Sequence, residues 1–164
     1  AKHNGPVYMR FGRSAVPVVF DADTYKFDIG KGVQLVEGSD VTLVATGITV
    51  EMALEASEIL KSRGISARVI NMATIKPIDR EILVKASRET GVIVTSEEHN
   101  IIGGLGSAVC EALCEEAPCI VERVGIRDSF GRSGSVNDLL KYYKLTAEEI
   151  VSRAEIALKR AGKR

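Results

Sequence analysis

Apolar residues follow two different periods along this chain, and their alternation predicts the secondary structure. Short runs rich in β-branched residues predict five strands. These runs are Val33–Val36, Val41–Ala45, Ala67–Met72, Val92–Ser96 and Cys119–Val124. Runs that are apolar on both faces are typical of a parallel sheet covered by helices. About four residues separate the first two runs, which predicts a hairpin whose first strand is antiparallel to the second.

Helical periods of apolar residues lie between these strands, with capping residues at their ends. The predicted helices are Thr49–Arg63, a helix between Asp79 and Gly91, Gly104–Glu115, a short helix from about Ser135 and a last helix that begins at Thr146. Alternating strands and helices predict right-handed βαβ crossovers. The fold class is therefore a three-layer α/β/α domain with a five-stranded mixed sheet.

The first thirty-two residues lack this regular pattern. Val7–Phe11 reads as one short strand between Gly and Pro turn signals, and a single strand cannot form a sheet alone. We interpret residues 1–13 as the remnant of a preceding domain, 14–32 as a linker and 33–164 as the α/β domain.

Composition and charge narrow the function classes. Lys plus Arg and Asp plus Glu both number 22, and the resulting zero net charge argues against binding of nucleic acid or anionic membranes. No apolar stretch approaches the roughly 20 residues that span a bilayer, and no signal peptide opens the chain. The three cysteines fit neither a disulfide framework nor a zinc motif. We expect a cytoplasmic protein whose cysteines are small buried residues.

The stretch TSEEHNIIGGLGSA, Thr95–Ala108, carries the clearest candidate chemistry. Glu97, Glu98 and His99 follow a predicted parallel strand, at the end where open α/β sheets place their sites. A histidine beside carboxylates can act as a general base. Because no nucleophile accompanies them, we favour a hydrogen-bonding or interface role.

Three glycines complete this stretch, at Gly103, Gly104 and Gly106. Their G-G-x-G order does not fit the dinucleotide fingerprint, and no Gly-Lys-Ser/Thr phosphate loop is present. Glycine lets a helix start approach another part of the chain closely. We expect that close approach within the sheet or at a subunit interface.

Arginines are the remaining candidate binding residues. Arg10 lies near the end of the predicted strand Val7–Phe11, beside Gly12 and Arg13, where it could grip a phosphate with two donors, although an exposed, solvated arginine is the default. Arg127, Asp128 and Arg132 lie in a polar loop after the last predicted strand, and we expect them to pair with one another.

Five stretches together resemble the C-terminal portion of transketolase. They are VYMRFGR, EGSDVTLVATGITVEMALEA, ARVINMATIKPID, EEHNIIGGLGSAV and VGIRDSFGRSG. The chain is most similar to transketolases split into two polypeptides, at the C-terminal part of the second. The equivalent domains of 1-deoxy-xylulose-5-phosphate synthase and of 2-oxoacid dehydrogenase beta subunits share related segments, and both remain alternatives.

The resemblance implies a thiamine-diphosphate enzyme that transfers two-carbon ketol units between sugar phosphates in the pentose phosphate pathway. In that family an earlier domain binds the diphosphate and Mg²⁺, and the C-terminal domain supports dimer assembly. This sequence contains neither Gly-Asp-Gly nor Asn-Asn, the family's diphosphate motif. We expect no cofactor, no metal and no activity in the isolated chain. The implied partner is the missing N-terminal part of the same enzyme, in a homodimer or heterotetramer.

The resemblance also assigns roles to residues. Arg10 corresponds to an arginine that contacts the sugar phosphate in the full enzyme. His99, Gly103, Gly104 and Gly106 become interface candidates, and none is expected to be catalytic. A non-catalytic regulatory module with a ligand pocket at the strand C-termini is the remaining alternative.

Overall fold

A computed structural model describes residues 3–13 and 15–163 and contains a five-stranded sheet between two layers of helices. The strands are β1 (Val33–Val36), β2 (Val41–Ala45), β3 (Ala67–Asn71), β4 (Val92–Asn100) and β5 (Ile120–Ile126). The helices are α1 (Thr49–Ser62), α2 (Arg80–Thr90), α3 (Leu105–Cys114), α4 (Val136–Tyr142) and α5 (Ala147–Arg160). Within the described ranges, no helix has the length and apolar character needed to cross a membrane.

The strand order is β1-β3-β2-β4-β5, and every neighbouring pair is parallel except β1 with β3. The predicted mixed sheet with an antiparallel first strand is therefore confirmed. The predicted hairpin is wrong, because β3 and β4 occupy the two sides of β2 and leave no edge for β1. β1 instead pairs with the outer side of β3.

The turn between β1 and β2 shows how β1 reaches that position. A Cβ added to Gly38 would lie 2.2 Å from the carbonyl carbon of Ala67, so the turn crosses directly over the start of β3. The carboxylate of Asp40 accepts a 2.7 Å hydrogen bond from the Ser66 N–H and fixes the crossing. A four-residue connection thus passes over β3 rather than closing a hairpin.

Two apolar clusters pack on opposite faces of the sheet. The first lies between the sheet and helices α1 and α5, and its helical members include Ala53, Leu60, Ile150, Ala154 and Leu158. The second lies under α2 and α3 and includes Leu83, Ala86, Leu105, Val109 and Leu113. Helix α4 has no fully buried residue, and its half-buried Leu140 packs against the first cluster. The three-layer prediction is confirmed.

Capping side chains begin three of the helices as predicted. The side chains of Asp79, Ser135 and Thr146 each accept a hydrogen bond from a backbone N–H in the first turn of their helices. Gly91 ends α2 with a left-handed φ of 63°. Asp79 also accepts a 3.0 Å bond from the Gly32 N–H, which attaches the segment before β1 to the start of α2.

The segment 7–11 forms no strand, so the strand predicted at Val7–Phe11 is wrong. Tyr8 is 89% exposed and Phe11 is 81% exposed. A strand is stable only beside another strand, and none of the five strands in residues 15–163 pairs with this segment. β-propensity alone therefore did not decide its structure.

Candidate functional site

The charged side chains of the candidate stretch Thr95–Ala108 lie at the end of β4. β4 continues to Asn100, so Glu97, Glu98 and His99 lie on the strand rather than after it. Successive side chains of a strand point to opposite faces. Glu97 consequently faces α3 with Thr95, whereas Glu98 faces away from it.

Glu97 is an internal ligand for the start of α3. Its side chain is 1% exposed. Oε2 accepts a 2.7 Å hydrogen bond from the Leu105 N–H, and Oε1 accepts a 2.8 Å bond from the Gly106 N–H. The N-cap residue Gly104 has no side chain to satisfy these donors, so Glu97 replaces a conventional cap. Both oxygens are engaged, which makes the carboxylate structural rather than a free base.

Each glycine of this turn is favoured for a different physical reason. A Cβ on Gly104 would lie 1.9 Å from Glu97 Oε2 and 2.8 Å from the Asn100 carbonyl oxygen. A Cβ on Gly106 would lie 2.7 Å from Arg123 Cδ. Gly103 has open space around it but a φ of 77°, in the left-handed region that favours glycine. Close approach within the domain therefore explains Gly104 and Gly106, whether or not they also lie near a subunit interface.

His99 lies on the surface at the same edge of the sheet. Its ring is exposed, and Nδ1 lies 3.0 Å from the Asn100 carbonyl oxygen. The Asn100 amide donates a 3.3 Å bond to Asp128, which connects this edge to the loop after β5. His99 is accessible to a partner, and its interface role stays a prediction.

Arg10 reaches the same edge from the N-terminal segment. Its guanidinium Nη2 lies 3.3 Å from Glu98 Oε2, and the two side chains are 52% and 38% exposed. An ion pair this exposed is worth about 0–1 kcal/mol. Arg10 is therefore held near the end of β4 by an interaction that a stronger anionic ligand could replace.

The loop after β5 does not pair its own charges, and that prediction is wrong. Arg127 Nη2 donates a 3.1 Å bond to the Arg123 carbonyl oxygen. The Arg132 guanidinium lies 4.4 Å from the centre of the Tyr142 ring. Asp128 instead accepts from Asn100, at a backbone φ of 45° that turns it toward β4. A backbone carbonyl oxygen, an aromatic ring and the Asn100 amide therefore replace the charged partners that proximity in the sequence suggested for these side chains.

None of the three cysteines is fully buried, so the expectation of buried thiols is wrong. Cys114 is exposed on α3, whereas Cys110 and Cys119 are partly buried. Burial raises the pKa of the Cys110 and Cys119 thiols above the ordinary value. In residues 3–13 and 15–163, no group of three or more His, Cys, Asp or Glu side chains could hold a metal ion.

A cleft of about 420 Å³ lies beside the outer edge of β5, and the sequence analysis did not find it. Its walls come from β5, the following loop, α4 and the start of α5, at Arg123, Val124, Gly125, Arg127, Ser129, Tyr142, Tyr143, Lys144, Glu149 and Arg153. These residues share no motif because three separate segments of the chain bring them together.

Comparison with known proteins gives a consistent family. A family model described as the transketolase C-terminal domain matches residues 30–150. The 6-deoxy-6-sulfo-D-fructose transketolase subunit of a Clostridium species is 46% identical over 152 residues, covering 93% of this chain and 47% of that subunit. The 1-deoxy-D-xylulose-5-phosphate synthase of Heliobacterium modesticaldum is 44% identical over 151 residues, covering 91% of this chain and 23% of that enzyme.

A solved structure agrees with these relatives. It is a split-gene transketolase described as an inactive β4 tetramer, with a TM-score of 0.87 and 52% identity. The similarity covers 90% of this chain and 48% of that one, so this chain spans about half the length of that protein and of the Clostridium subunit. Fold, sequence identity and the matched range 30–150 agree. The chain belongs to the transketolase C-terminal domain family.

Proposed function

We propose that this chain is the C-terminal, assembly-supporting domain of a cytoplasmic transketolase that transfers two-carbon ketol units between sugar phosphates. The observation that carries the proposal is the 52% identity and TM-score of 0.87 to a split-gene transketolase. In this proposal residues 33–164 form the domain, 14–32 are a linker and 1–13 belong to the preceding domain of the same enzyme.

Thiamine diphosphate and Mg²⁺ belong elsewhere in that enzyme. The carboxylate and amide oxygens of the family's Gly-Asp-Gly and Asn-Asn motif suit Mg²⁺, and this sequence contains neither element of that motif. The buried Glu97 carboxylate could supply oxygen ligands, but both of its oxygens already accept backbone hydrogen bonds. We therefore assign the cofactor to the missing N-terminal part and derive no step through it.

Arg10 contributes to substrate binding in this proposal. Arginine presents a planar fork of donors that matches a phosphate group. The ion pair with Glu98 holds the guanidinium at the end of β4, close to the C-terminal edge of the sheet. A sugar phosphate carries more charge than the Glu98 carboxylate and takes over some of the Arg10 donors when it binds.

His99 and Gly103 contribute to assembly in this proposal. Both are exposed, His99 at the end of β4 and Gly103 in the turn that leads to α3, and Glu97 holds that turn from inside. A rigid, exposed turn suits contact with a partner subunit in a homodimer or heterotetramer. His99→Glu is expected to weaken association in the complete enzyme measured by sedimentation, and unchanged association would remove His99 from the interface.

A second candidate is the same domain of a 1-deoxy-xylulose-5-phosphate synthase, favoured by the 44% identity to such an enzyme. Reconstitution separates the two. This chain alone, with thiamine diphosphate, Mg²⁺, xylulose 5-phosphate and ribose 5-phosphate, is expected to show no turnover. Adding the missing N-terminal part is expected to produce ketol transfer. Formation of 1-deoxy-xylulose 5-phosphate by the reconstituted enzyme would instead establish the second candidate, and turnover by the chain alone would refute both.

A further inference from the structure

The cleft beside β5 has an excess of positive charge. Four of its lining residues are cationic and one, Glu149, is a carboxylate. Arg153 is already neutralised, because it pairs with Glu149 at 2.7 Å and with Glu122 at 3.6 Å. The Arg123 side chain lies on the other face of β5, where a Cβ added to Gly106 of α3 would lie 2.7 Å from its Cδ. The charges of Arg127 and Lys144 are left, and neither of these side chains forms a salt bridge with a described carboxylate.

The Arg127 guanidinium is held in place by a backbone carbonyl. Arg127 Nη2 donates to the Arg123 carbonyl oxygen at 3.1 Å. A guanidinium has five N–H donors, so Arg127 keeps donors for a ligand. Because the side chain is already oriented, a ligand that binds it loses less conformational entropy.

The outer edge of β5 adds backbone donors to the same cleft. β5 ends the sheet order, so one of its edges has no neighbouring strand. The Arg123 carbonyl oxygen accepts from Arg127 on that open side. The N–H and C=O of one strand residue point in the same direction, and the direction repeats every second residue. The N–H groups of Arg123 and Gly125 therefore point toward the cleft, together with the Gly125 carbonyl oxygen.

We propose that this cleft binds a small phosphate monoester. The Arg127 guanidinium, the Lys144 ammonium and backbone N–H groups of β5 border this cleft, and such donors suit the several terminal oxygens of a phosphate dianion. A volume of about 420 Å³ holds a small molecule. The site lies on β5, α4 and α5 and is separate from Arg10, so it goes beyond the proposed role in catalysis and would give the domain a regulatory input.

Titration of the ¹⁵N-labelled chain tests this proposal, with inorganic phosphate, ribose 5-phosphate and ribose as probes. The Gly125 and Arg123 amide signals are expected to shift with both phosphates and not with ribose. The double variant Arg127→Gln, Lys144→Gln is expected to raise the Kd for ribose 5-phosphate by at least about tenfold, since two charged donors are lost. Circular dichroism confirms that the variant is folded.

Two single variants serve as controls. Arg132→Gln removes a neighbouring loop arginine that does not line the cleft, and it is expected to leave the Kd unchanged. Arg10→Gln is also expected to leave it unchanged. The proposal is overturned if neither phosphate shifts the Gly125 amide, if ribose shifts it equally, if the double variant binds like the unmodified chain, or if binding is lost only in Arg10→Gln.

Discussion

Glu97 Oε2 occupies the space in which Gly104 would carry a side chain. A Cβ at Gly104 would lie only 1.9 Å from that oxygen, far inside van der Waals contact. The carboxylate reaches this position in order to accept from the N–H groups that open α3. The glycine and the glutamate therefore form one structural unit, in which the absent side chain makes room for a cap supplied from the strand.

Gly104→Ala is expected to destabilise the domain by about 1–3 kcal/mol, because the new methyl group must displace the carboxylate or the Asn100 carbonyl. The midpoint of urea unfolding measures this loss. Gly131→Ala is the matched control, since a Cβ there meets nothing within 4 Å, and it is expected to change stability by less than about 0.5 kcal/mol. Equal effects of the two substitutions would contradict the close approach at Gly104.

Glu97→Ala is expected to cost about 2–4 kcal/mol, because two buried N–H groups lose their acceptor. Glu97→Gln keeps one accepting oxygen and is expected to cost less. Glu98→Ala is the control on the same strand, and loss of its exposed ion pair is expected to cost at most about 1 kcal/mol. If chemical unfolding shows equal losses for Glu97→Ala and Glu98→Ala, Glu97 is not the cap of α3.

The cysteines are expected to react at different rates with a thiol reagent. Thiolate is the reactive form, and burial raises the pKa of Cys110 and Cys119, so they hold less thiolate and are also less accessible. At about pH 8 the exposed Cys114 is expected to react first. The fast and slow phases of the reaction are followed by absorbance, with a disulfide reagent that releases a coloured thiolate. Cys114→Ser should remove the fast phase, and a fast phase that persists in this variant would disprove the assignment.

Arg10→Gln in the complete, reconstituted enzyme is expected to raise KM for phosphorylated substrates far more than for hydroxypyruvate. The physical reason is the loss of a cationic donor to the phosphate group. Glu98→Gln is the matched control, because it breaks the same ion pair but keeps the cationic Arg10 side chain. If both variants change the two KM values alike, Arg10 acts through the ion pair rather than on the phosphate.

The order of elements followed from the sequence because local signals were strong. Apolar runs placed the five strands, and caps such as Asp79 and Thr146 placed helix starts. The partner of β1 could not be predicted in this way. A short connection suggests a hairpin, and only the packing of Gly38 over Ala67 shows that β1 crosses to the far side of β3.

The site was predicted less completely than the fold. The sequence identified Glu97, Glu98 and the glycines as a unit but ended the strand at Ser96. Because the strand extends to Asn100, the two glutamates lie on opposite faces of it. The alternation of side chains along a strand would have predicted this separation if the strand had been extended past Ser96. The cleft beside β5 could not be predicted, because its charged walls converge only through tertiary packing.

Calorimetric titration of thiamine diphosphate and Mg²⁺ tests most directly whether the catalytic machinery lies outside this chain. The chain alone is expected to give no binding heat, and the same chain assembled with the N-terminal part proposed for this enzyme is expected to bind both and to transfer ketol units. Saturable binding of thiamine diphosphate with Mg²⁺ to the isolated chain would contradict the assignment of this domain to assembly.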